Sequence, residues 1–584
     1  MRLRKLAAAT GVASLVLSMG AACTENTGQQ GTDEESDNSP RIHVIATDPA
    51  DSMGPAPEVE GAREGGTVYI LRETDYEHLD PQRTYTVAGW ALNHLISRTL
   101  TTFREDGSGR MVLVGDLATT PGEDVNGDCT TWRFTLKEGI RFETGEEITA
   151  SDVAHGIARS FEQSLDGGAT YIQEWLAGTP DYNSVYAGPF TSGQPFPPNL
   201  EVDDEARTLT FHFDRPRCDM PFAAAMTTTA PVPRELDTGV DYDRSVVSSG
   251  PYRIAEYERD HHILLVRNEH WDPNTDPLRH QYPDQFYVEM GPDDTTATER
   301  VVADNGNDRF AIAEDGVPQA LISEVLDNPD VEARSVSADT SMVWYLRINT
   351  RRVTDLSVRQ AIAYALDRQS ILIAQGGEAA GTLTHTILSP QTIGYEEYEN
   401  PYDAPPTGDP ERARELLDGR TPELVMLYRN ASVYPELASI VEESLEEAGF
   451  QVTITPIEQP EHNPMTRDPN NPYDLYMSSW IPDWPSGAAT IPPLLDGRNI
   501  GGGSNNTFLD VPEINEEIDR ISALPAEEAA PEWMALDQRI MEEYCPMVPI
   551  YSIRALNVVG SGVGGVFISD FLGQPAYYNA YVIS

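Results

Sequence analysis

The stretch Asp474 to Gly487, DLYMSSWIPDWPSG, concentrates groups that can hold a ligand. Leu475 to Ser479 reads as a strand, and a loop carrying two prolines and two tryptophans follows it. Loops leaving strand ends are where open α/β sheets meet their ligands. A carboxylate in such a loop, here Asp483, is a strong partner for an ammonium group once a cleft closes and dries. Trp480 and Trp484 offer apolar or cation–π walls beside it. The structural alternative is that Asp483 caps the loop and the tryptophans fill a core. Tyr85, Trp90, Trp344 and Arg347 are further candidates. Arg347 would meet a ligand carboxylate if it points into a cleft. Alternate residues of a strand face opposite ways, so core packing or a surface salt bridge explains each of these four equally well.

Other chemistries lack their residues. Asp124, Asn126 and Asp128 have the spacing of a calcium loop, but the glycine is Gly127 and no glutamate closes the loop, so a turn is the expectation. His261, His262 and His270 belong to a hairpin region and are expected to face solvent. There is no H-E-x-x-H, no Gly-x-Ser-x-Gly and no phosphate loop; Gly501 to Ser504 is not followed by the lysine a phosphate cradle needs. No catalytic residue, metal site or cofactor is therefore assigned. The chain has four cysteines and none is spaced as a metal pair. Cys129 precedes a strand, Thr131 to Leu136, and Cys218 follows another, Thr208 to Phe213. If those strands pair, a bridge between the two cysteines is within reach, and Cys545 is left as a buried thiol.

The elements that must position these groups can be read from periodicity. Val343 to Ile348 is an apolar β run. Asn349 and Thr350 turn the chain, and Asp355 caps one helix carrying Val358, Ala361, Ile362, Ala365, Leu366 and Leu372. Leu424 to Tyr428, the helix Pro435 to Ala448 and the strand Gln451 to Ile457 form a βαβ unit, so their strands should be parallel. Trp132, Phe134 and Leu136 alternate as a half-buried strand, and Thr149 or Ser151 caps the helix that follows. Tyr252 to Tyr257 and Ile263 to Val266 read as a hairpin. Tyr85 to Thr102 reads as helical.

The chain has 584 residues, enough for about three to four domain-sized units. Its net charge is −54 and its only lysines are Lys5 and Lys137, which argues against nucleic acid or an anionic membrane surface as partner. Arg2, Arg4 and Lys5 precede an apolar run, Leu6 to Met19, too short to span a bilayer. Gly20, Ala21, Ala22 and Cys23 then resemble a lipoprotein signal, with Gly20 where a leucine is usual, so Cys23 is the expected lipidated residue. Thr24 to Arg63 is too polar to bury a core and reads as a flexible tether, with order beginning at Gly65 or Gly66.

Five motifs in order resemble one family, the extracellular solute-binding proteins of peptide-type ABC importers, family 5. They are Gly65 to Val68 with Leu79, Asp80 and Pro81; Phe134, Leu136, Gly139, Phe142, Gly145, Thr149, Ala150, Asp152 and Val153, with Lys137 for an arginine; Gly250, Tyr252, Arg267, Asn268 and Trp271; Asn349, Thr350, Val358 to Ala361 and Ala365 to Arg368; and Cys545 to Ile550. The resemblance implies an α/β, periplasmic-binding-protein-like II fold: two hinged lobes with an extra subdomain on the first. The implied parts are a signal peptide (1–22), a tether (23–64), the first lobe (65–101, 234–342 and 547–584), its extra subdomain (102–233) and the second lobe (343–546), with the hinge near Val343 to Ile348. It also implies that Asp483 grips the α-amino group of a peptide ligand, and that a lipid-anchored monomer delivers the ligand to ABC permease subunits at the outer face of the membrane. A secreted hydrolase, or a sensory or adhesin lipoprotein on the same fold, is the alternative.

Overall fold

The structure, a computed structural model, describes residues 44–105, 111–431, 433–501, 503–569 and 572–583. Cys23, the signal segment and the first part of the tether lie outside them. Two α/β lobes are built on separate sheets. In the first lobe the strand order is Ala311–Ala313, Thr67–Arg72, Gln285–Met290, His262–Arg267, Tyr252–Glu258. The first three run parallel and the last two add as an antiparallel hairpin. Val68, Ile70, Phe286 and Val288 alternate inward from this sheet onto the helix Val87–Ile96, burying Leu92, Leu95 and Ile96. That helix is shorter than the span expected: Thr86 caps it, and Thr101–Glu105 is a strand.

Residues between this helix and the hairpin build a second core. Thr131–Thr135 pairs antiparallel with Thr208–His212, flanked by Glu123–Asp124 and Leu200–Asp203. The pairing brings Cys129 and Cys218 together as a disulfide. Asp124 ends its strand and holds the turn that follows: its carboxylate accepts from the backbone of Gly127 and Cys129. Thr149, with Asp152, forms a capping box on the helix Ala150–Arg159. Lys137 is buried. Its ammonium donates to the carbonyls of Gly115, Asp116 and Thr275 beside the buried ion network of Arg98, Asp116, Asp276 and Arg279, and burial pushes its pKa down to about 7.

Packed structure begins well before Gly65. Val44–Ile45 pairs parallel with Met111–Gly115, Asp48 caps a short turn, and the buried Ser52 hydroxyl accepts from Gly115 N–H at 2.8 Å. A polar average over forty residues hides the β-branched pair that makes this contact.

The second lobe's sheet runs Gly381–Leu383, Met547–Val558, Ser335–Ile348, Leu475–Trp480, Glu423–Arg429, Gln451–Ile457. The βαβ strands are parallel, and Leu437, Val441 and Leu445 of the helix Tyr434–Glu447 bury against them. The helix after Asp355 ends at Ala365. Asp367 caps a second one, Arg368–Gln375, because its side chain accepts from Ser370 N–H.

The lobes are joined by two antiparallel strands, each longer than its apolar run. Ser335–Asp339 pairs with Arg554–Val558 beside the first lobe, and Val343–Arg347 pairs with Met547–Ser552 inside the second. Between them Thr340 to Met342 oppose Ile553 alone, and the Thr340 hydroxyl donates to the Ile553 carbonyl at 2.9 Å. The interruption therefore lies at Thr340 to Met342, ahead of the expected hinge. The final crossing likewise comes near Ile553, not at 547: Met547, Val548, Ile550 and Tyr551 belong to the second lobe's core, Leu556 and Val558 to the first lobe's.

Candidate ligand-binding site

Leu475–Trp480 is a central strand of the second lobe, and its loop crosses to the first lobe. Asp483, at the tip, accepts from the Tyr171 hydroxyl at 2.6 Å and the Tyr85 hydroxyl at 2.8 Å. Tyr85 precedes the helix Val87–Ile96, and Tyr171 opens the helix Tyr171–Ala177. Two first-lobe donors thus converge on one second-lobe carboxylate. Burial raises the pKa of Asp483 to about 6, although both tyrosines oppose the rise.

The next residue makes a different contact. Trp484 is 1% exposed and inserts into the first lobe's extra core. Its Nε1 donates to an Asp219 carboxylate oxygen at 2.7 Å, and its ring packs edge-on against Tyr171, 4.8 Å between centroids. It does not border the cavity between the lobes; its contacts join the lobes. Trp344 does not border that cavity either. It stacks on Tyr551 and leans on Tyr434 inside the second lobe. Trp480 does face the cleft, its Nε1 donating to the Ala489 carbonyl.

A cavity of about 270 Å³ lies between the lobes, bordered by Tyr85, Trp90, Met342, Arg467, Trp480 and Asp483. That is just below the range usual for small-molecule sites, roughly 300–1,000 Å³. An apolar recess behind Trp90, reaching Phe222 and Met226, holds only about 30 Å³, room for about two waters. Sequence reasoning missed Arg467, Met342, Tyr171 and Asp219. Each lies in an ordinary helix, strand or loop sequence and reaches the interlobe face only through the tertiary fold. Among the described residues, no group of three or more His, Cys, Asp or Glu side chains is placed to hold a metal, and no helix is long and apolar enough to cross a membrane.

Comparison with known proteins identifies the class. The family described as bacterial extracellular solute-binding proteins, family 5 Middle, matches residues 112–502. The chain belongs to this family. Among its relatives, the dipeptide-binding protein DppE of Bacillus subtilis is 20% identical over 525 residues, 85% of this chain and 89% of that one. Heme-binding protein A of Haemophilus influenzae is 22% identical over 496 residues, 79% and 82% of the two chains. The solved structure of clavulanic acid biosynthesis oligopeptide binding protein 2 superimposes with a TM-score of 0.82 at 28% identity, covering 93% of this chain and 99% of that one. Haemophilus influenzae OppA in complex with RPPGFSPFR gives 0.68 at 17% identity, over 90% and 100%.

Proposed function

We propose that this chain is the ligand-capturing component of an ABC importer, closing its lobes on a short peptide or a similarly small amine-bearing solute and presenting it to a permease. The observation that carries the reading is Asp483. It is a second-lobe carboxylate lining the interlobe cavity and held by first-lobe tyrosines. An ammonium entering this cleft meets a partly desolvated carboxylate, where a charge-assisted hydrogen bond is strongest. Trp480 and Tyr85 supply the apolar and aromatic border. The small cavity favours a ligand of a few residues over a long extended chain. Relatives named for dipeptide and oligopeptide binding support peptides, and one named for heme binding marks how far ligands diverge on this fold. The basic, apolar and small-residue order ending at Cys23 supports a lipid anchor at the extracytoplasmic face of the cell membrane.

The test is native mass spectrometry of the chain lacking residues 1–23, purified gently and then denatured to release what it carried. A set of short-peptide masses is expected. A single non-peptide mass would discard peptides, and a protein that carries nothing and gains no thermal stability from a peptide pool would refute the receptor reading.

A further inference from the structure

A larger recess lies outside the interlobe cleft. Its volume is about 730 Å³, against about 270 Å³ for the cleft cavity, and falls within the range usual for small-molecule sites, roughly 300–1,000 Å³. One wall is a face of the helix Ala526–Glu543, on which Glu527, Ala530, Met534 and Gln538 recur at helical spacing. The other wall is the loop from Ile393 to Tyr398. The walls close on each other at Gly394, where an added Cβ would meet the Ala530 Cβ at 2.6 Å. The recess shares no lining residue with the cleft cavity. It sits behind the loop that carries Asp483: Ile393 N–H donates to the Pro485 carbonyl at 2.8 Å, and Ile393 and Ala530 belong to the same core as Trp484.

The lining has two characters. Ile393, Ala530 and Met534 are buried and apolar. Glu396, Glu397 and Glu527 are exposed at its border, and no lysine, arginine or histidine lines it. Among the described residues Glu396 and Glu527 form no ion pair, and Glu397 meets only the imidazole of His385, at 3.4 Å. Carboxylates are common on a chain of net charge −54, so the rim alone would carry nothing; here three of them border an apolar recess. Two further features favour a cation. Pro531 brings no N–H to the Glu527 carbonyl, so that acceptor lacks its usual helical donor in the turn beside the recess. Tyr398 also borders the recess, fixed by the bond from its hydroxyl to an Asp537 carboxylate oxygen at 2.8 Å, and aromatic rings attract cations to their faces. An anionic or purely apolar occupant would leave the three carboxylates unpaired.

We propose that this recess is a second ligand site, taking a small amphipathic cation: an amine whose apolar body lies on Ile393, Ala530 and Met534 and whose ammonium group meets the carboxylates of Glu396, Glu397 and Glu527. Burial of the body supplies affinity, and charge-assisted hydrogen bonds at the rim select the charge. The site is separate from the cleft and does not depend on what the cleft binds.

The probes are 4-phenylbutylamine and 4-phenylbutyrate, which share an apolar body and differ in the sign of their charge. Each is titrated calorimetrically into the chain lacking residues 1–23 and into its Ala535→Arg and Glu397→Gln variants. Ala535 borders the recess, and both positions are exposed, so both variants should fold. The amine is expected to bind at least about tenfold tighter than the acid. Ala535→Arg, which sets a guanidinium at the rim, should weaken the amine by about tenfold or more, and Glu397→Gln by about threefold. An amine held by Asp483 in the cleft would feel neither substitution, so amine binding that is unchanged in both variants overturns the second site and leaves the cleft's own function standing. Equal binding of amine and acid overturns it too, as does an amine that does not bind. A preference for the amine that falls in both variants upholds the site, whether or not the cleft carries peptides.

Discussion

Replacing Trp484 by phenylalanine keeps an aromatic ring between Tyr171 and Trp175 but removes the N–H that reaches Asp219. In an open protein both groups would face water and the substitution should cost little. In the closed form the Asp219 carboxylate is buried, with Ser486 as its remaining side-chain partner. A hydrogen bond to a charged group contributes about 1.5–3 kcal/mol, and here that contribution falls on the closed state alone. Ligand binds the closed state, so apparent affinity drops in proportion to the closed population. The expected loss is about 10- to 150-fold, at 1.4 kcal/mol per factor of ten. Calorimetric titration of Trp484→Phe with a peptide that binds the wild type measures it, with small-angle scattering to follow compaction. Asp219→Asn is the control, because an amide oxygen still accepts from the indole and should hold affinity within a few fold. Unchanged affinity in Trp484→Phe, or an equal loss in Asp219→Asn, would refute the view that this bond holds the lobes together.

Three further outcomes follow from the titratable groups and the disulfide. Asp483 has its pKa raised to about 6, so binding of an amine-bearing peptide should weaken as pH falls through that value. Tyr171→Phe removes an opposing donor and should move the midpoint of a pH titration of affinity upward; no shift would refute the role of that hydroxyl. Asp537 is raised to about 7 by burial, against donors from Leu388, Tyr398 and Ile387. Its folded pKa exceeds the unfolded value of about 3.9, so folding takes up a proton. The stability this contributes is complete below about pH 4 and lost as pH rises through 7. Thermal unfolding of Asp537→Asn should therefore show a flatter decline between about pH 4 and 7 than the wild type, and parallel curves would refute it. Cys129 and Cys218 close a loop with a sequence separation of 89; removing the bridge should cost about 2–5 kcal/mol, seen as a lower melting temperature in reductant or in the double serine variant, and an unchanged melt would count against it.

How much of this was legible depended on how local the cause was. The cap at Asp355, the cap at Thr149 as one of two candidates with Ser151, and the parallel βαβ unit follow from spacing alone, because a cap and its amide lie within a few residues. The register that joins Cys129 to Cys218 could be stated only as a condition, since strand pairing is a long-range event. Boundaries slipped where a run of one character crosses a change of environment. The strand Ser335–Ile348 keeps extended backbone through the lobe junction although its first half is polar, so the apolar pattern located only its second half. Within the loop of Asp483 the residue types were informative and their division of labour was not. Nothing in WIPDW says which tryptophan faces a cavity and which enters the other lobe's core, because that depends on Tyr171, Trp175 and Asp219, some 260 to 310 residues earlier in the chain.

That division of labour has a mechanical consequence. Asp483 and Trp484 are consecutive, so their side chains leave the same short loop and must dock together. One meets the cavity and two first-lobe hydroxyls; the other is enclosed by the first lobe's second core. With Asp483 in its proposed ligand role, a ligand that draws it into place would also align Trp484 with Asp219, and one that holds the carboxylate elsewhere would strain or withdraw the indole. Closure is thereby tied to correct placement of one charge by the covalent bond between neighbours, and no separate relay is required. The hinge has the complementary property. Thr340 to Met342 bulge against a single residue, so the two connecting strands can bend there without breaking the ladders on either side. On the proposed role of Asp483, ligand recognition and lobe closure would both depend on one loop at the mouth of the cleft and one bulge behind it, while the two lobe cores on either side remain as they are.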